Sequence, residues 1–216
     1  MKHRFFLMAG LFAFLFFNQT AMTHAAYSQT TQTAQAQTVE PASDFKKAHE
    51  SFIKKDFKAS AAEIRNGADF LKKEAESAGN EGKEMLTASA AELDELADKV
   101  EKGAVKSDKE MKAAFSRAEQ AAAKNDYVKA TDSWTQKKAR ETGEAIKTAA
   151  YHMEQAADWS GHKLKSGASR AIKKGRELSG KLIKGAGYVP EEVGKGLKNM
   201  GDAISGFGKK LLPDKK

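Results

Sequence analysis

The chain has no cysteine and only three prolines among its 216 residues. Without cysteine there can be no disulfide and no thiolate metal site, so stability must come from packing alone. Scarce proline leaves helices uninterrupted, and the sequence offers few β-branched runs from which to build strands. After Phe17 no apolar stretch approaches the roughly 20 residues needed to span a bilayer. The basic residues lack clustered arginine and interleaved aromatic platforms, which argues against a nucleic-acid partner.

What is present is alanine, lysine and glutamate in long helix-favouring stretches, so the expected fold class is all-α. The first residues follow another logic. Lys2, His3 and Arg4 precede the apolar run Phe5 to Phe17, and Thr23 and Ala25 are small residues spaced for cleavage. This pattern reads as a secretory signal peptide over 1–25, cut after Ala25 or Ala26. The expected location is therefore exported, periplasmic or cell-envelope-associated. Residues 26–43, rich in Gln, Thr, Ala and Ser, read as a disordered polar linker.

Residues 44–160 read as a bundle of about four or five helices built from two related hairpins. In the first, Ser43 or Asp44 caps a helix carrying Phe45, Phe52 and Ile53, and Asp56 opens a second after a lysine pair. A similar arrangement recurs 70 residues on, where Lys54-Lys55-Asp56-Phe57 becomes Lys124-Asn125-Asp126-Tyr127. A capping Asp followed by an aromatic wedge suggests a turn at both places, and around that turn the hairpins resemble tetratricopeptide-type units. Between the copies, a helix with Leu86, Leu93, Leu96 and Val100 on one face ends at Gly103, and Ser107 with Glu110 forms a capping box for the next. From Asp126 a long helix-favouring stripe runs through Trp134, Ile146 and Met153.

Charge divides the chain. Residues 161–216 hold 14 Lys and Arg against five acids, a net +9, whereas 27–160 hold 21 against 24, a net −3. This basic, glycine-rich region ends in an amphipathic helix over roughly 190–211, opened by Pro190, Glu191 and Glu192. Its apolar seam includes Leu197, Met200, Ile204, Phe207 and Leu211, and Lys195, Lys198, Lys209 and Lys210 provide charge. A strict seven-residue series of glycines, from Gly180 to Gly208, runs beside that seam. Glycines inside a helix cost about 0.8 to 1 kcal/mol each relative to alanine, so such a helix needs something to lie against. An anionic membrane surface, a partner protein helix (a second copy included, giving a homo-oligomer) and the chain's own body are the three candidates, and the glycine-rich, lysine-flanked pattern resembles membrane-active peptides.

Enzymatic motifs are not met. Gly175 to Leu182 approximates a phosphate loop but ends in Leu182 where a hydroxyl is required, and Ser160 with Lys163 lacks the companion motifs of serine acyl enzymes. The expectation is a non-enzymatic protein without cofactor, whose basic C-terminal helix engages an anionic membrane or a partner helix. A second reading is a small-ligand or metal-binding bundle centred on His152, Trp159 and His162, although the histidine spacing is not that of a metal site. A third is a purely structural bundle with the tail packed on the chain's own body.

Overall fold

The computed structural model describes residues 40–211. The signal peptide expected over 1–25, residues 26–39 of the expected linker and the last five residues lie outside them. Among the described residues there are seven helices and no strand: α1 Glu40–Ile53, α2 Phe57–Glu76, α3 Asn80–Glu101, α4 Asp108–Thr135, α5 Ala139–Ser160, α6 Ser166–Lys184 and α7 Pro190–Leu211. The fold is an all-α bundle, with five helices up to residue 160, where four or five are expected, and two more, α6 and α7, where the sequence suggests one C-terminal helix. α1 starts before the anticipated cap at Ser43 or Asp44, with Pro41 in its first turn, where a fixed φ favours helix and no amide is missed.

Asp56 caps α2 as its sequence suggests, accepting from the Ala59 amide at 3.0 Å. Asp126 does not repeat this. It lies well inside α4, which runs unbroken from Asp108 to Thr135. Ser107 stands at the α4 N-cap in extended backbone, but its hydroxyl makes no capping hydrogen bond. The long helix expected beyond Asp126 is in turn interrupted, because Lys137 takes a left-handed conformation with φ 59° and separates α4 from α5.

The turns reveal the repeat the chain does contain. At Lys55, the Lys55 amide donates to the Phe52 carbonyl and the Asp56 amide to that of Ser51, each at 2.9 Å. This is the reverse turn that typically closes a helix on one left-handed residue. It recurs at Gly103, Lys137 and Gly185, all with positive φ and the same two-bond pattern. Lys137 lies 82 positions after Lys55, and Gly185 lies 82 after Gly103. In that register Asp44-Phe45 falls on Asp126-Tyr127, Ser60 on Thr142, Ile64 on Ile146, Leu96 on Leu178, and Lys102-Gly103-Ala104 on Lys184-Gly185-Ala186. The first residue of α4, Asp108, falls on the first of α7, Pro190. An interhelical ion pair is repeated too: Lys99–Glu110 at 3.7 Å returns as Lys181–Glu192 at 2.7 Å. Asp126 thus corresponds to Asp44, inside a helix, and the 70-residue register misplaced it.

Two antiparallel four-helix units follow, α1–α4 and α4–α7, with α4 belonging to both. α4 packs against α1, α3, α5 and α7. One core gathers Phe45, Ile64, Leu71, Leu93 and Phe115, with Phe45 stacked on Phe115 at 4.4 Å between ring centroids. The other gathers Ile146, Met153, Leu182, Met200 and Ile204. The division falls within α4, between Ala122 and Ala123.

A cationic groove between the last two helices

α7 lies against its own bundle. Val193, Leu197, Met200, Ile204 and Phe207 are buried in the second core, and Leu211 is half-buried at its edge. Burying each such side chain returns about 1.5 to 3 kcal/mol, which outweighs the helix cost of the neighbouring glycines. Several glycines are contact points: a β-carbon on Gly201 would stand 2.6 Å from the Tyr127 hydroxyl, on Gly208 2.9 Å from Gln120, and on Gly196 2.5 Å from Leu178. Gln120 in addition donates from Nε2 to the Ile204 carbonyl at 2.8 Å, tying α4 to α7. The apolar residues singled out from the sequence therefore face inward. Lys195, Lys198, Lys209 and Lys210 are exposed, and of these Lys198 pairs with Asp202 at 2.7 Å.

The two helices do not close on each other along their whole length. Between the first half of α6 and the second half of α7 lies an open groove of about 660 Å³. Its lining carries four cations, Lys165, Arg170, Lys174 and Lys210, among small residues that include Gly167, Ala168, Ala203 and Gly206. The absence of bulk at these positions is what leaves the space: a β-carbon on Gly167 or Gly206 would meet nothing within 4 Å. Arg170 and Lys174 are one helical turn apart and so project from one face of α6. Among the described residues none of the four cations has a carboxylate within ion-pair distance; the single acid in the lining, Asp202, is held by Lys198. Sequence reasoning found Lys210 but missed Lys165, Arg170 and Lys174. Their available signal was the four-residue spacing of Arg170 and Lys174 beside glycine and alanine.

The residues of the ligand reading occupy three different surroundings. His152 is buried, with Nδ1 2.6 Å from Oε2 of Glu119 and Nε2 3.8 Å from Asp126. Burial opposes its protonation, but the Glu119 carboxylate, supported by Asp126 and Glu74, outweighs that and raises the imidazole pKa above its ordinary value. Burial also raises the Asp126 carboxyl, against the pull of His152 and Lys129. Glu119 and Asp126 are seven residues apart and so meet His152 from one face of α4. Trp159 belongs to the other core, edge-on to Phe115 at 5.1 Å and beside His49 at 5.8 Å. His162 is exposed beyond the end of α5. Among the described residues no group of three or more His, Asp or Glu is arranged to hold a metal ion, and no helix is long and apolar enough to cross a membrane. No protein-family model matches the chain, and no curated protein or solved structure is significantly similar to it.

Proposed function

We propose that this is an exported, non-enzymatic binding protein that docks on an anionic membrane surface through the basic face of α6 and α7. The observation that carries the reading is the placement of charge: Lys165, Arg170, Lys174 and Lys210 around the α6–α7 groove face solvent without acidic partners among the described residues, on the part of the chain with a net +9. Each such cation near an anionic bilayer contributes about 1 kcal/mol. Because the apolar seam of α7 is already buried, docking needs no insertion of that seam, and a partner helix would find no free apolar stripe there.

The test is sedimentation of the purified protein with vesicles. Binding to vesicles rich in phosphatidylglycerol, loss of that binding in about 0.5 M salt through screening, and little binding to phosphatidylcholine alone are expected. Absence of binding to the anionic vesicles, or equal binding to both kinds, contradicts the proposal and leaves the purely structural reading, which the buried seam also suits.

A further inference from the structure

Resting on that reading, we propose that the α6–α7 groove is a specific site for the phosphate of an anionic phospholipid headgroup. The counterpart of the groove in the first unit is the seam between α3 and α4, 82 residues earlier.

In the first unit three ion pairs cross the seam: Lys99–Glu110, Arg117–Glu92 and Lys124–Glu81. The first pair survives in the second unit as Lys181–Glu192. The other two do not. Glu92 is replaced by Lys174 and its partner Arg117 by Asn199, while Glu81 is replaced by Lys163 and its partner Lys124 by Gly206. Bulk disappears at the same place, since Met85 and Leu86 of the first unit correspond to Gly167 and Ala168. The same helix pair is therefore latched along its length in one unit, but in the other it is latched at one end and opened at the other. At the open end both carboxylates have become lysines, of which Lys174 lines the groove and Lys163 lies before α6 outside its lining, and the covering side chains have been removed.

A merely structural seam has no need of this combination. Converting the crossing acid Glu92 to Lys174, beside Arg170 in the groove lining, gathers like charges there, which repel unless an anion lies between them. A groove of about 660 Å³ is of the size that takes a small ligand. Arg170 supplies a planar fork matched to phosphate oxygens, and Lys174, Lys165 and Lys210 supply point charges around it. Asn199 and Ser166 add neutral hydrogen-bonding groups to the lining. The groove opens to solvent on the same basic face that docks, so a headgroup can enter while its acyl chains stay in the bilayer.

The experiment compares three variants of the full chain on vesicles containing phosphatidic acid. Arg170→Gln with Lys174→Gln removes two groove charges. Lys173→Gln with Lys184→Gln removes two exposed charges outside the groove. Gly206→Leu fills the groove without altering charge and improves helix propensity, so it should retain the fold, which circular dichroism checks. The groove pair is expected to weaken binding about tenfold beyond the control pair, and Gly206→Leu to weaken it comparably, with a smaller effect on vesicles given equal negative charge by a carboxylate lipid. Equal losses in the two double variants, together with parental binding by Gly206→Leu, overturn the site while leaving basic-face docking intact. Failure of the parent to bind any anionic vesicle overturns the docking reading itself. Saturable, groove-dependent binding of inorganic phosphate without a preference for phosphatidic acid vesicles overturns the headgroup as the source of the phosphate.

Discussion

The Tyr127 hydroxyl stands 2.6 Å from the point a β-carbon on Gly201 would occupy, and its ring carbon Cζ only 2.7 Å away. Seven residues earlier on α4 and seven later on α7, Gln120 approaches Gly208 in the same manner. The helices are antiparallel, so both seven-residue series advance together along the contact, and the glycines of α7 provide the hollow into which α4 side chains fit. Gly201→Ala is therefore expected to lower unfolding free energy by about 1 to 3 kcal/mol, despite its better helix propensity. Adding Tyr127→Ala should make the combined loss less than additive, because the clash disappears with the ring. Urea unfolding of the two single variants and the double variant measures this, and a Gly201→Ala protein as stable as the parent contradicts the packing.

Gly194 and Gly206 belong to the same helix but meet nothing within 4 Å of an added β-carbon. Their replacement by alanine should stabilise the protein by about 0.5 to 1 kcal/mol each, as expected where a glycine contributes only conformational freedom. A fall in melting temperature for either variant shows that the glycine has a contact role after all.

Much of this was legible in the sequence, and where it was not there is a physical cause. Asp56, Gly103, Gly185 and Pro190 mark helix boundaries by their own chemistry, and those boundaries stand. Lys137 carries no such mark, since lysine rarely takes a positive φ and does so here because the packed helices on either side demand a short turn. α4 was the hardest element to recognise: it contacts other helices on several sides, so its buried residues follow no single stripe, and it can be mistaken for two helices. The α7 stripe is legible in the sequence as apolar and in need of a partner. What a stripe cannot encode is whether that partner lies on another molecule or 84 residues away on the same chain, as Gln120 does from Ile204.

Caps that look equivalent in sequence should differ in consequence. Asp56→Ala removes a hydrogen bond to the Ala59 amide and should cost about 0.5 to 2 kcal/mol. Ser107→Ala removes a hydroxyl that caps nothing and should fall within about 0.5 kcal/mol of the parent. Equal losses measured by chemical denaturation contradict the assignment.

The cluster of Glu119, His152 and Asp126, with Glu74 and Lys129 beside it, gives stability a direction with pH. The folded protein raises the pKa of both His152 and Asp126, so it binds protons more tightly than the unfolded chain does. Stability from His152 is complete below its unfolded pKa of about 6.5 and is lost as pH rises through the higher folded value. Asp126 acts in the same sense, its contribution fading as pH rises from about 3.8 through its raised folded value. Glu119→Gln removes the main charge favouring the imidazolium and should flatten the decline above about pH 6.5. Thermal unfolding of parent and variant from pH 5.5 to 9 measures this; an unchanged slope in Glu119→Gln contradicts it.

The basic face is expected to dock with α7 still seated on the bundle. The absence of native cysteine permits a direct test, with Gln120→Cys and Gly208→Cys introduced together so that an oxidised disulfide locks α7 to α4 at their close approach. Sedimentation of this protein with anionic vesicles, oxidised and then reduced, separates docking from insertion. Equal, salt-sensitive binding in the two states is the expected result. Binding that appears only after reduction would contradict it, because it would mean that α7 must leave the bundle to reach the membrane.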